Sequence, residues 1–305
     1  MRIWMTGATG QIGSTLVSLL QDRHHEVWSL GRQSSVPDDR LPRIPWSAEG
    51  EWSMPSDVSL PDAIIHLAAQ TSAYVARESP ATDLMVNVVA PVRLLQHVVD
   101  RGAHPYVVMA GAATQRDDSL GTDAAITFYE TGKSTLELYL AQFMREGSID
   151  FTSLRLSNVY GGMNRGRAQR GFINESVRRA LGGSSLTYYT GYTCIRDFLH
   201  VTDAAEAFAV ALEHRGDLAG RSFDVGSGHR HSIREALEII ADEAQVATGV
   251  GVEILGTPAP AGTYAVELQD RFVDSTDFQE RTGWTATITL RNGVRRMIHE
   301  ALTSR

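Results

Sequence analysis

Short apolar runs alternate with stretches of helical periodicity through the first half of the chain. Residues 2–6 (RIWMT), 26–30 (EVWSL), 63–67 (AIIHL), 106–109 (YVVM) and 152–156 (TSLRL) read as buried strands. A Pro-, Ser- and Asp-rich stretch at 33–61 reads as a loose connection around one short strand near 43–46. Residues 12–20 place Leu16, Leu19 and Leu20 on one helical face, and 83–101 and 129–145 repeat that spacing. Sustained strand-helix-strand alternation predicts an α/β fold with a Rossmann-type doubly wound parallel sheet. Ligands of such sheets bind at the carboxyl ends of the strands. Further on, Asp203 is placed to cap a helix at 204–213. Ser232 and Glu235 have the spacing of a capping box, and 290–302 forms a last amphipathic helix.

Composition narrows the classes. A chain of 305 residues suits one large or two intimate domains, and 43% hydrophobic with 21% charged residues is ordinary for a globular protein. The net charge of −8, with no Lys/Arg block, argues against nucleic acid and membrane as partners. Cys194 is the single cysteine, which precludes an internal disulfide and suits a cytoplasmic location. No metal-site spacing occurs. The N-terminal apolar residues read as a strand rather than a signal peptide, and no apolar run approaches a membrane span.

The candidate chemistry begins at Gly7-Ala8-Thr9-Gly10-Gln11-Ile12-Gly13, between the first strand and the first helix. Gly7 allows the sharp turn, Gly10 allows close approach of a pyrophosphate, and Gly13 allows helix and strand to pack. The helix N-terminus adds unpaired N–H groups and a positive dipole end. The second strand ends in Gly31-Arg32, where NAD-binding folds carry an acidic residue for the ribose hydroxyls. An arginine fork there suits a 2′-phosphate, so NADP(H) is favoured and NAD(H) is possible. After the third long strand, the small residues Ala68 and Ala69 let the chain pass close to a flat ligand, and His66 reads as a packed, hydrogen-bonded histidine. Tyr129 and Lys133 are four apart and share a helix face. An ammonium beside a phenol lowers the phenol's pKa, and the tyrosine can then exchange a proton with a substrate oxygen while hydride moves. Gly132 between them costs about 1 kcal/mol relative to Ala, which points to a close packing or cofactor contact.

Taken together these segments resemble the extended short-chain dehydrogenase/reductases of the sugar-nucleotide epimerase/dehydratase family. The match rests on the GxxGxxG loop, His66-Leu67-Ala68-Ala69, Ser79-Pro80 with Asn87, Tyr129-x-x-x-Lys133 and Arg155-x-x-Asn158-Val159-Tyr160-Gly161. It continues through Arg196-Asp197-Phe198-x-His200-Val201-x-Asp203, Phe223 to Gly228, and Arg271 to Asp274 with Gly283-Trp284.

The resemblance implies a Rossmann domain from 1–157 and 196–226, a smaller C-terminal substrate-binding domain from 158–195 and 227–305, and a homodimer. The dimer would pack the Tyr129 helix and the preceding long helix, with Leu136, Leu140 and Phe143 as a buried stripe unless these pack on their own sheet. Cofactor contacts would come from Gly7, Thr9, Gly10, Gln11, Ile12, Gly13, Gly31, Arg32, Leu67, Ala68, Ala69, Asn87, Tyr129 and Lys133, the last holding the nicotinamide ribose. Gln70, Thr114, Asn158, Arg196 and Arg271 would contact a nucleotide-sugar substrate, and the arginine-bearing residues 163–171 would form a lid over its diphosphate.

The chain departs from the family pattern at three places. Ala112 stands where a catalytic Ser or Thr is expected, leaving Thr114 as the nearby hydroxyl. No Asp-Glu pair follows it, which disfavours dehydration. Residues 258–262 (PAPAG) lack the usual arginine, for which Arg271 is the candidate replacement. The expected activity is therefore an NADPH-dependent ketoreductase acting on a nucleotide-linked keto-deoxysugar, with Tyr129, Lys133 and Thr114 catalytic. The alternatives are an NAD-dependent sugar-nucleotide epimerase and a catalytically silent NADP-binding sensor or interaction protein.

Overall fold

The computed structural model describes residues 1–31, 41–47, 58–115, 127–162 and 171–303. Arg32 and nearly all of the expected lid, residues 163–170, lie outside the described residues. The chain forms two units. One comprises Met1–Arg155, Ala205–Phe223 and Asp277–Trp284, the other Leu156–Ala204, Asp224–Thr276 and Thr285–Arg305.

The described elements run β1 (Arg2–Thr6), α1 (Gln11–Asp22), β2 (Glu26–Gly31), β3 (Arg43–Pro45), β4 (Ala63–His66), α2 (Ala73–Glu78), α3 (Pro80–Leu84), a π-helical turn (Met85–Val89), α4 (Ala90–Asp100), β5 (Tyr106–Ala112), a 3-10 turn (Ala113–Gln115), α5 (Phe128–Arg145) and β6 (Asp150–Leu156). They continue as β7 (Asn158–Tyr160), α6 (Phe172–Leu181), β8 (Leu186–Tyr189), β9 (Ile195–Arg196), β10 (Phe198–His200), α7 (Val201–Glu213), α8 (Arg215–Leu218), β11 (Arg221–Val225), β12 (His231–Ser232), α9 (Ile233–Thr248), β13 (Ile254–Thr257), α10 (Ala265–Leu268), α11 (Thr276–Thr282) and α12 (Leu290–Thr303).

The sheet of the first unit has the order β11-β6-β5-β4-β1-β2-β3, and β3, β2, β1, β4 and β5 pair in parallel. Parallel strands covered on both faces must be apolar throughout, which is why β1 and β4 read as continuous runs. Ile3, Trp4 and Met5 are completely buried, and Ile64 and Ile65 nearly so. The strand order reverses between β1 and β4, the switch point where such sheets leave a crevice beyond their carboxyl ends. Leu136 and Leu140 of α5 are 1% exposed and belong to this unit's core, with Phe143 packed against it. The stripe thus packs on its own sheet. Phe128, Leu138 and Tyr139 are the large apolar residues that α5 exposes, at 51%, 68% and 48%.

The second unit has its own core, in which Tyr160, Val177, Leu237, Ile240, Val294 and Met297 pack together. Ser232 and Glu235 form both bonds of the expected capping box at the start of α9. A Cβ on Gly293 would lie 2.1 Å from Tyr160 Oη, so α12 approaches Tyr160 only because that residue is glycine. One helix start differs from expectation. Helix α7 begins at Val201, two residues before Asp203, and His200 Nδ1 accepts the Thr202 N–H at 3.2 Å. The Asp203 carboxylate instead accepts from Thr287 Oγ1 and the Ile288 N–H, each at 3.0 Å.

Candidate active site

The glycine loop joins β1 to α1 within one tight turn. Gly7 has φ +73°, and the Gly10 N–H donates to the Gly7 carbonyl at 2.8 Å. A Cβ on Gly7 would lie 2.8 Å from Ala68 N, and one on Gly13 would lie 2.1 Å from the Gly7 oxygen. The loop is therefore a cradle that side chains would fill, and it lies against Leu67-Ala68 at the end of β4. Gly10 caps α1 without a side-chain hydrogen bond. A helix N-terminus in this setting fits the pyrophosphate of a dinucleotide. Thr6 ties the two strand ends together: its Oγ1 is 2.8 Å from His66 Nδ1 and accepts the Ala68 N–H at 3.2 Å. His66 is 3% exposed, and burial, with Lys133 nearby, pushes its imidazole down to about 3. It is the packed, hydrogen-bonded histidine that its setting in an apolar strand implied. Thr9, Gln11, Ile12, Gly31 and Ala69 are each half-buried along this rim of the first unit.

Helix α5 presents Tyr129 and Lys133. Thr127 caps it, accepting the Glu130 N–H while the Glu130 carboxylate accepts the Thr127 N–H at 2.7 Å. This capping box fixes the first turn, in which Tyr129 sits. Lys133 is the only lysine in the chain. Its side chain is 2% exposed, and Nζ donates to the Ala110 carbonyl at 2.8 Å, within β5. Nζ also lies 5.9 Å from the centroid of the Tyr129 ring. Burial lowers Lys133 to about 8, against the opposing pull of Asp83 and Glu137. The Tyr129 phenol departs from expectation. Burial first, then Glu130 and Asp83, hold it above its ordinary range. The ammonium donates its hydrogen bond to the Ala110 carbonyl, and the two carboxylates add to the effect of burial on the phenol.

A polar network adjoins this pair. Asn87, in the π-helical turn, exchanges hydrogen bonds with the backbone of Gln70: the Gln70 N–H donates to Asn87 Oδ1 at 2.9 Å, and Asn87 Nδ2 donates to the Gln70 carbonyl at 3.0 Å. The Gln70 side chain donates to the Ser72 carbonyl and to Asp83 Oδ1, both at 2.9 Å. Asn87 Nδ2 also reaches Asp83 Oδ1 at 2.9 Å. Gly132 explains itself by packing: a Cβ there would lie 3.1 Å from Asp83 Oδ2. Sequence reasoning missed Asp83, the Thr127 cap and the fact that Lys133 is the sole lysine. Each had a signal: the i, i+4 spacing of Asp83 and Asn87, the Thr-x-x-Glu box, and a simple count.

The turn after β5 folds on its own glutamine. Gln115 is 3% exposed, and its Oε1 accepts the Ala112 N–H at 2.9 Å. Ala112 ends β5, and Thr114 lies half-buried in the following 3-10 turn.

The remaining predicted residues belong to the second unit. Asn158 is exposed, and its amide donates to the Asp197 carbonyl at 3.1 Å. Arg196 donates to the Gln269 and Glu267 carbonyls at 2.5 and 2.6 Å, so its guanidinium holds the end of α10. Burial lowers its pKa, and the charge of Arg271 adds to that lowering. The Arg271 N–H donates to the Ile195 carbonyl at 2.8 Å, bringing the two arginines into one neighbourhood, and Arg271 Nε is buried with no hydrogen-bond partner among the described residues. Asp197 is structural: its carboxylate accepts from Ser157 Oγ and from the N–H groups of Ser227 and Gly228.

Among the described residues no group of three or more His, Cys, Asp or Glu side chains could hold a metal ion, and no helix is long and apolar enough to cross a membrane.

Known proteins share this architecture from end to end. The chain is 28% identical to a UDP-glucose 4-epimerase of Mycolicibacterium smegmatis, over 98% of this chain and 97% of that protein. It is 27% identical to a GDP-6-deoxy-D-mannose reductase of Pseudomonas aeruginosa, over 98% and 96%. The crystal structure of the Thermus thermophilus UDP-glucose 4-epimerase in complex with NAD matches with a TM-score of 0.81 and 26% identity, covering both chains completely. The glycine cradle and the Tyr129–Lys133 helix fall within residues 3–226, which match the model of the NAD dependent epimerase/dehydratase family, and the chain belongs to that family.

Proposed function

We propose that this protein is an NADPH-dependent ketoreductase acting on a nucleotide-linked keto-deoxysugar. The observation that carries the reading is the state of the Tyr129–Lys133 pair. A phenol held above its ordinary range keeps its proton at neutral pH, as a proton donor must, and a buried cation lies 5.9 Å from its ring. When bound, the nicotinamide supplies the hydride to the carbonyl carbon. Tyr129 donates its phenolic proton to the carbonyl oxygen, and Lys133 stabilises the phenolate left behind. Thr114 provides the second hydrogen bond to that oxygen in place of the side chain missing at Ala112.

Gly7, Thr9, Gly10, Gln11, Ile12 and Gly13 hold the pyrophosphate, and Leu67, Ala68, Ala69 and Asn87 flank the rest of the cofactor. Asn158, Arg196 and Arg271 bind the nucleotide sugar, so the first unit serves the cofactor and the second the substrate. The exposed Leu138 and Tyr139 on α5 support a homodimer through that helix. The choice of NADPH rests on Gly31 at the end of β2, where a carboxylate would repel a 2′-phosphate, and on Arg32 beside it in sequence. Affinities for NADPH and NADH, measured for the wild type and Arg32→Ala, test this directly. A preference for NADPH that collapses in the variant supports the reductase. Preference for NADH, or NAD retained through purification, supports the second reading, an NAD-dependent epimerase, which the similarity to the Mycolicibacterium enzyme favours.

A further inference from the structure

Asp83 is a buried carboxylate to which the chemistry above gives no role. It lies in α3 and is 2% exposed. Three neighbours converge on it. Gln70 Nε2 and Asn87 Nδ2 both donate to Oδ1 at 2.9 Å. Helix α5 comes so close that a Cβ on Gly132 would sit 3.1 Å from Oδ2. A buried charge is costly unless it is both hydrogen-bonded and paired. The amides supply the bonds but carry no charge. The cation that acts on Asp83 is Lys133, itself 2% exposed, so each charge offsets the other's desolvation.

We propose that Asp83 is a positioning residue: its carboxylate locks Gln70 and Asn87 beside the turn after β4 and is the buried counter-charge that keeps Lys133 cationic next to Tyr129. The proposal rests on reading Tyr129 and Lys133 as the catalytic pair.

The groups acting on Lys133 are Asp83 from α3, His66 from β4, and Glu137 and the Tyr129 ring from its own helix; Glu130 adds its charge at Tyr129. Removing the Asp83 charge therefore lowers Lys133 further and lowers the Tyr129 phenol as well. The chain's single lysine makes this measurable without substrate. Protein labelled with isotopically enriched lysine gives one side-chain resonance, and its pH titration reads Lys133 alone.

The wild-type midpoint is expected near 8. In Asp83→Asn it should fall by about one pH unit or more, and the alkaline limb of kcat/KM should move with it. In the wild type the same resonance should show a second inflection in acid, above the ordinary carboxylate range, as Asp83 takes up its proton. That measurement needs no variant. A Lys133 midpoint unchanged in Asp83→Asn, or no acid inflection in the wild type, overturns the proposal. A wild type that binds neither NADPH nor NADH, while the midpoint still moves, overturns the functional reading and leaves the charge pairing standing.

Discussion

Lys133 Nζ donates to the Ala110 carbonyl at 2.8 Å, which fastens the helix carrying Tyr129 to the end of β5. The bond gives the ammonium a fixed place near the carboxyl end of β5, the side on which such sheets leave their crevice. Burial and the carboxylates of Glu130 and Asp83 hold the Tyr129 phenol above its ordinary range, so it keeps its proton at neutral pH.

The first prediction concerns alkaline pH. Lys133 is lowered to about 8, so turnover should decline as pH rises through that value and the cation is lost. Stability should respond with the opposite sign. An unfolded chain keeps the lysine proton to about 10.4, so between 8 and that value the unfolded state binds more protons and the native state gains stability as pH rises. Urea denaturation at pH 7.5 and 9.5 should show this gain in the wild type and lose it in Lys133→Met.

The second concerns the hydroxyl after β5. Thr114→Val should lower kcat by about 10²–10³, the usual effect of deleting a hydrogen-bond donor to a reacting oxygen, with KM little changed. Ala112→Ser, placing a hydroxyl at the expected position, should recover much of that loss in the double variant. Steady-state kinetics of the four proteins decides it. An unaltered kcat in Thr114→Val removes Thr114 from the chemistry.

The third concerns acid. His66 is neutral in the native state and protonates only at about 3, whereas an unfolded imidazole protonates near 6.5. As pH falls through 6.5 the unfolded state takes up a proton that the native state refuses, so stability declines toward pH 3. His66→Asn, which keeps a polar group near Thr6 Oγ1, should show a shallower decline between pH 6.5 and 4 in thermal unfolding followed by circular dichroism.

Much of this was legible in the residues because the local signals agreed with the global fold. The apolar runs at 2–6 and 63–67 became adjacent parallel strands because continuous hydrophobicity has only a sheet covered on both faces to enter. The glycines at 7 and 13 marked a sharp turn and a close packing of helix on strand, and the structure has Gly7 at φ +73° and no room for a Cβ at Gly13. Three features were not legible, each for a physical reason. The Tyr129 phenol follows burial and two carboxylates, one of them Asp83, forty-six positions away in sequence, and linear spacing does not show it. The apolar face of α5 divides between core and surface, and periodicity alone did not assign Leu136 to the sheet and Leu138 to solvent. Asp203 looks like a cap from its place before an alanine-rich run, but His200 caps α7, and the aspartate serves the segment before α12.

The central claim is that Tyr129 protonates a sugar ketone during reduction. Its most direct test is NADPH consumption by wild type and Tyr129→Phe in the presence of nucleotide-linked keto-deoxysugars. The expected result is stoichiometric oxidation of NADPH to a deoxysugar alcohol, slowed by about 10²–10⁴ in the variant, with NADPH affinity preserved. Conversion of a nucleotide hexose to its epimer with no net consumption of cofactor, or equal rates in wild type and Tyr129→Phe, would contradict it.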